Sequence, residues 1–388
     1  MTAQPDVIDQ PDVTDQPDVT DRKIESLPLD AWHRARGARM VAFAGYSMPI
    51  QYEGIVAEHL WTRAHAGLFD VSHMGQLLIS GHDAASALET LLPSDVIGLA
   101  RNRMRYSLLL EANGGILDDL MITSRDDGYY VVVNGAVKHD DIAHFREHLP
   151  DSVTINHMED RALIAVQGPE AVGVVSRVVP GVEALFFMEA AAFGGPFGDL
   201  WVSRSGYTGE DGVEISVPCT TVEALVEALS AQPEVKPIGL GARDSLRLEA
   251  GLPLNGHDLC SEIDPVMAQL TFAIPQRRRG EGGFPGAERI QAAFGEGTLH
   301  RRVGLAVEGR QPAREGAGVY SGDELIGMIT SGGFAPSLQY PIAMGYIRVA
   351  HAAAGTRLEI DVRGKRLAAT VTPMPFIPNR YHRRGKAP

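Results

Sequence analysis

A chain of 388 residues, 44% hydrophobic and 22% charged, is long and apolar enough for two or three domains with their own cores. Its net charge of −14 excludes nonspecific nucleic-acid binding, which needs a basic footprint, and no apolar run is long enough to span a membrane. Cys219 and Cys260 are too few for a disulfide framework or a four-thiolate iron–sulfur cluster, and suggest a reducing compartment.

The first 21 residues carry a hexapeptide repeat, Gln-Pro-Asp-Val-Ile-Asp and then Gln-Pro-Asp-Val-Thr-Asp twice. Proline in each repeat breaks helix and sheet, and no aromatic residue seeds a core. Residues 1–28 therefore read as a disordered acidic tail. This start lacks both the basic, apolar secretory pattern and the Arg-rich transit pattern, which favours a bacterial-type cytoplasmic protein. Beyond it, Ile55-Val-Ala-Glu-His-Leu-Trp-Thr-Arg-Ala64 has helical spacing with Gly67 as its stop, and residues 84–92 read as a short helix. Strands over 106–110, 117–123 and 129–134, joined by turns at Asn113-Gly-Gly and Asp126-Asp-Gly, form an antiparallel meander. A helix over 139–149 closes that unit. The recipe then repeats, with a strand at 162–167, a helix from Pro169, a hairpin through 201–217, and helices over 222–231 and 243–250. Strands that alternate with helices yet pair by hairpins indicate an α+β fold. Residues 29–290 thus form two α+β lobes with a boundary near 150, ending in an Arg- and Gly-rich boundary loop over 277–286. Short strands after Arg301, with turns at Ser321-Gly-Asp, Ser331-Gly-Gly and Arg363-Gly-Lys, predict a β-barrel-like domain over 298–384.

Two adjacent acids sit in the strand that follows the first Gly-Gly turn, in Asn113-Gly-Gly-Ile-Leu-Asp-Asp-Leu120. Acids cost free energy inside a sheet, and strand alternation sends Asp118 and Asp119 to opposite faces. Asp118 shares its face with Leu120 and Ile122, Asp119 with Met121 and Thr123. The more apolar face makes Asp118 the acid of an apolar pocket, with a raised pKa suited to proton traffic. The other reading is that both acids are exposed on an edge strand. Glu214 projects away from the apolar face formed by Val213, Ile215 and Val217, toward solvent or a pocket. Arg243 and Arg247, four apart, share a helix face, and Arg247 with Glu249 reads as structural. Asp70, Ser72 and His73 are triad residue types, but sequence neighbours diverge on an extended chain. His144 and His148 have helical i, i+4 spacing without a third ligand, so no metal is expected. Arg277-Arg-Arg279 reads as a solvated loop, or as a docking patch for an acidic carrier.

The chain resembles the T-protein of the glycine cleavage system, a tetrahydrofolate-dependent aminomethyltransferase. The resemblance covers residues 30 to 384 and rests on eight blocks in the family's order. They are Gly67-Leu-Phe-Asp-Val-Ser-His-Met74, Asn113-Gly-Gly-Ile-Leu-Asp-Asp-Leu120, Ile164-Ala-Val-Gln-Gly-Pro169 and Gly206-Tyr-Thr-Gly-Glu-Asp-Gly-Val-Glu-Ile215. Gly239-Leu-Gly-Ala-Arg-Asp-Ser-Leu-Arg-Leu-Glu-Ala-Gly251, Gly283-Phe-Pro-Gly-Ala287, Thr330-Ser-Gly-Gly-Phe-Ala-Pro-Ser337 and Met374-Pro-Phe-Ile-Pro378 complete the set. It implies three domains around a central folate site. Asp118 then matches the family's catalytic aspartate, Glu214 the acid that grips the pterin, and Arg243 the arginine for the folate tail. Tyr381 matches a folate-contacting tyrosine, and Tyr106, Asn134 and Tyr207 match pocket positions. The implied partners are the lipoylated H-protein and, indirectly, the P- and L-proteins. The implied reaction passes a one-carbon unit from the aminomethyl-lipoyl arm to folate N5, with ring closure at N10 and loss of ammonia. Asn255 departs from the aromatic residue common in relatives. Other members of the same fold are demethylases, and folate-binding iron–sulfur maturation factors whose Lys-Gly-Cys-Tyr-type signature neither cysteine here matches.

Overall fold

The computed structural model describes residues 24–385, so the hexapeptide repeat lies outside the described residues. The fold begins before residue 29: Glu25 and Ser26 pair in parallel with Tyr46 and Ser47, and Leu27 is buried. A two-residue strand carries no periodicity, which is why the expected tail boundary at 28 falls too late.

Beside a small three-stranded sheet of Glu25–Ser26, Tyr46–Gln51 and Arg39–Phe43, two larger sheets form the body. One has five strands in the order Met104–Leu110, Ile116–Ser124, Tyr129–Val133, Gly75–Ser80, Thr154–His157, all antiparallel. The other has six, in the order Ala190–Gly195, Gly198–Ser203, Gly212–Pro218, Arg161–Gln167, Ala66–Asp70, Val235–Pro237. The last pair is parallel, an exception to the expected hairpin pairing. Each sheet covers its outer face with helices. Leu77, Ile79, Leu120, Ile122, Val131 and Val133 pack against Ile142 and Phe145 of the helix Lys138–His148. Ile164, Val166, Val213, Ile215 and Val217 pack against the helices Ala171–Val178 and Val222–Ser230. Burying an aliphatic side chain of this size contributes roughly 1.5–3 kcal/mol, so these two clusters fix both strand registers.

The inner faces meet each other. Tyr130 and Val132 of one sheet and Phe69, Leu163, Ala165 and Trp201 of the other share a single cluster, with Ala242 and Leu246 of the helix Leu240–Glu249. Because strand side chains alternate, Tyr130 and Val132, out of phase with Val131 and Val133 of the outer cluster, point into this middle layer.

After the body, the strands His300–Val307, Tyr340–Arg348, Glu324–Ala335, Gly318–Ser321, Arg357–Val362 and Lys365–Thr372 close an antiparallel barrel in that order. Buried Arg247 ties it to the body, donating to Asp258 Oδ2 at 2.8 Å and to Ser331 Oγ of the barrel at 2.9 Å. Tyr346 Oη of the barrel donates to the Asp258 carbonyl at 2.7 Å.

Three sequence expectations shift. Gly67 does not stop the helix Ile55–Ala64; it lies in a strand, where a Cβ would meet Thr62 Oγ1 at 2.5 Å and Ile238 Cγ1 at 2.8 Å. Ser331-Gly-Gly is no turn but the bulged middle of Glu324–Ala335, where the register shifts between Ile329 and Ser331. Residues 277–286 are neither loop nor docking patch throughout. Gln276–Glu281 is helical, Arg277 pairs with Glu89 and Asp95, and Arg278 is buried against the Glu89 carbonyl.

Candidate active site between the two sheets

The middle layer turns polar at one end, where both sheets send titratable side chains inward. On the six-stranded sheet, Glu214 lies between the outward-facing Val213 and Ile215, opposite Ser203 and Ala165 in register. Its Oε2 accepts from Ser205 Oγ at 3.0 Å. Burial pushes the Glu214 carboxyl up, against the opposing pull of Arg243 and the Ser205 hydrogen bond. Arg243 comes from the first turns of Leu240–Glu249, and its guanidinium lies 4.8 Å from the Tyr207 ring centroid. Burial lowers its pKa, partly offset by Tyr207 and Glu214. Arg247, one turn later, is consumed by the barrel contact, so the two arginines on one helix face do separate work.

From the five-stranded sheet come Asp119 and Tyr106, on adjacent strands. Asp119 is pushed up to about 7 by burial and by neighbouring Asp118, while the facing Tyr106 hydroxyl and a hydrogen bond from Asn134 pull the other way. The Tyr106 hydroxyl is buried, faces Asp119 and makes no fully formed hydrogen bond among the described residues. Tyr207 donates to the Pro253 carbonyl and lies within electrostatic reach of Tyr106, Asp119 and Arg243. His73 closes the floor. Its Nδ1 is buried without a partner, and burial together with Arg243 pushes the imidazole down to about 3, so it is neutral. Phe43 covers it edge-on at 5.6 Å. Gly135 is required by this approach: a Cβ there would sit 2.7 Å from the His73 carbonyl oxygen. The cleft thus presents a carboxylate and a guanidinium at one wall and a near-neutral-pKa acid at the other, with hydroxyl and imidazole capacity left open.

Residues 29–278 match the family described as GCVT N-terminal domain, and residues 300–377 match the Glycine cleavage T-protein C-terminal barrel domain. The chain belongs to the glycine cleavage T-protein family. Among curated relatives, the mitochondrial aminomethyltransferase of Dictyostelium discoideum is 40% identical over 379 residues, covering 92% of this chain and 94% of the relative. That of Pisum sativum is 42% identical over 363 residues, covering 91% and 89%. The crystal structure of glycine cleavage system aminomethyltransferase T from Bartonella henselae superposes with a TM-score of 0.88 at 40% identity, over 93% of this chain and 100% of that one.

Within this T-protein family fold, Glu214, Arg243, Tyr207, Tyr106, Asn134 and Asp119 converge on the cleft. Asp118 does not face it. It lies on the outer face with Leu120 and Ile122, fully buried beneath the helix Lys138–His148. The expectation that an apolar strand face marks the pocket is therefore corrected: the apolar face is the helix-packed core, and the mixed face of Asp119, Met121 and Thr123 lines the cleft. Tyr381 sits apart from these residues, stacked on Phe187 at 4.0 Å with Arg63 and Glu210 as its charged neighbours. Asn255 Nδ2 donates to the Leu117 carbonyl at 3.0 Å, so the side chain that departs from the aromatic residue anchors the Pro253 loop to the acid-bearing strand. Sequence reasoning missed Ser205, His73 and Asp141. His73 reads as part of an empty triad, and no local pattern ties Asp141 to Asp118, 23 residues earlier. Asp70, the other triad type, instead accepts from buried His33 at 2.9 Å. His144 and His148 stack at 4.2 Å on the helix surface, and no group of potential metal ligands occurs among the described residues.

Proposed function

We propose that this protein is the tetrahydrofolate-dependent aminomethyltransferase of the glycine cleavage system, accepting its substrate on the lipoyl arm of an H-protein. The observation that carries this reading is the pairing, across one cleft, of the Glu214 and Arg243 wall with an Asp119 carboxyl near pKa 7. A pterin presents adjacent N–H and NH2 donors, and one carboxylate accepts both as a planar fork. Glu214 is built for that task, because among the side-chain donors of the described residues only Ser205 claims it. Arg243 makes no ion pair among the described residues, and a guanidinium free of such a partner suits a carboxylate on the folate tail. Tyr106, Tyr207 and neutral His73 wall the cleft with aromatic surface, and Tyr106 and His73 add unspent polar atoms. Tyr381 belongs to the outer rim, where Arg63 and Arg383 supply further positive charge.

In the transfer, the carbon–sulfur bond of the aminomethyl thioether breaks, ammonia leaves, and the lipoyl sulfur departs as a thiol. Folate N5 and N10 both bond to the one-carbon unit, each nitrogen loses its proton, and protons complete the departing ammonia and thiol; the proton on the ring-closing nitrogen is the last to leave. Asp119 accepts that proton, since a base with a pKa near the working pH is the efficient one. The role that the resemblance gives to Asp118 passes to its neighbour, because only Asp119 faces the substrate space. No helix among the described residues is long and apolar enough to cross a membrane. Two free cysteines suit a reducing compartment, and we assign the protein to the cytoplasm, although several relatives are named as mitochondrial. The test is Asp119→Asn, which should lower the single-turnover transfer rate by roughly 10²–10⁴-fold at saturating folate and H-protein. A variant with the wild-type rate would remove Asp119 from the chemistry.

A further inference from the structure

Asp118 and Asp141 pose an energetic problem that the transfer chemistry does not use. Their exposures are 0% and 3%, and their carboxyls adjoin where the helix Lys138–His148 crosses the acid-bearing strand. Neither forms an ion pair among the described residues, and Asp141 Oδ2 is buried with no donor. The other charges acting on Asp141 are Asp140 and Asp119, both negative. Lys138, the nearest cation on the helix, is spent on the Tyr46 hydroxyl and the His73 carbonyl. Two adjacent buried carboxyls without a cation cannot both ionise, so one proton lies between them.

We propose that Asp118 and Asp141 form a proton-sharing pair that positions Asn134, and through Asn134 aligns the Asp119 carboxylate in the cleft. Asp118 Oδ2 accepts the Asn134 backbone N–H at 3.0 Å, and Oδ1 accepts Asn134 Nδ2 at 2.8 Å. Asp118 thus keeps both Asn134 donors while the shared proton bonds it to Asp141. The second hydrogen of Asn134 Nδ2 points to Asp119, with Oδ1 at 2.9 Å and the main-chain oxygen at 3.0 Å. Both amide hydrogens are then committed, and the amide cannot flip without turning its oxygen toward two carboxylates. Asp141 is a positioning residue: it touches no substrate and acts through Asp118 and Asn134. This inference rests on Asp119 being the acid at the reacting atoms.

The full chain, with aminomethyl-lipoyl H-protein and tetrahydrofolate, gives the test through single-turnover rates across pH. Other groups facing the acids are Tyr106 on the adjacent strand, Tyr207 across the cleft and Asp140 on the helix, with Arg302 of the barrel facing Tyr106. All are unchanged in the variants. Asp141→Leu should slow transfer by about 10²-fold, the scale of a misplaced catalytic group, while folate affinity holds. Asp141→Asn keeps a hydrogen-bonding group toward Asp118 and should recover most of that loss. Both variants should retain the ionisation limb of the rate profile, because Asp119 is intact. Equal rates in Asp141→Leu and wild type, or a folded Asp141→Asn as slow as Asp141→Leu, would overturn the pair's positioning role. Asp119→Asn separates the two claims: if it keeps the limb, the assignment of Asp119 fails, while the Asp141 contrast still reports on the pair.

Discussion

Glu214→Gln isolates the charge at the proposed pterin wall without changing its shape. Burial raises the carboxyl's pKa despite Arg243 and Ser205, so desolvation outweighs the local attraction and the ionised form is held at a net cost. Removing the charge therefore relieves that cost, while Ser205 can still donate to the amide oxygen at the same position. The melting temperature should stay at the wild-type value or rise slightly. Ligand binding should respond in the opposite sense. An amide offers one acceptor where the carboxylate offers two, so one pterin donor meets an N–H group. The loss of one charge-assisted hydrogen bond amounts to roughly 1.5–3 kcal/mol. That is about a 10- to 150-fold weaker Kd for tetrahydrofolate. Calorimetric titration beside a thermal melt reads both quantities on one preparation. Unchanged Kd in a folded Glu214→Gln protein would refute the pterin assignment.

Two further outcomes follow from the packing and the buried acids. Arg247→Ala should leave the buried Asp258 carboxylate without its guanidinium, at about 3–5 kcal/mol. Its thermal midpoint should therefore fall by on the order of 10 °C, and an unchanged midpoint would show that the barrel is held by other contacts. The Asp119 carboxyl is raised from 3.8 to about 7 in the folded state, so its contribution to stability is fully present below the unfolded value and lost as pH rises toward 7. Wild type should thus lose stability relative to Asp119→Asn between about pH 4 and pH 7, and parallel melting curves across that window would contradict the raised value.

Much of this architecture is legible in the chain because its signals are local. The meander around Asn113-Gly-Gly, the hairpin that carries Glu214 and the turns at Gly322 and Gly364 all follow from period-two runs broken by turn residues. The placements of Glu214 and Arg243 are legible too, one out of phase with an apolar strand face and the other on a helix after a Gly-rich turn. What the chain hides is which face of a two-sided strand meets a helix and which meets the other sheet. Asp118 and Asp119 differ by that alone, and an apolar neighbourhood marks a core more often than a cleft. Long-range partners were equally invisible: the parallel strand Val235–Pro237, Arg277 with Glu89 and Asp95, and Asp141 over Asp118 depend on contacts with no sequence period.

The most direct test is ammonia release from aminomethyl-lipoyl H-protein by the purified chain, measured with and without tetrahydrofolate. Release that is fast with folate, slow without it, and matched by 5,10-methylenetetrahydrofolate formation is the predicted result. Release indifferent to folate, or no turnover of the lipoyl-bound substrate in its presence, would contradict the proposed aminomethyl transfer.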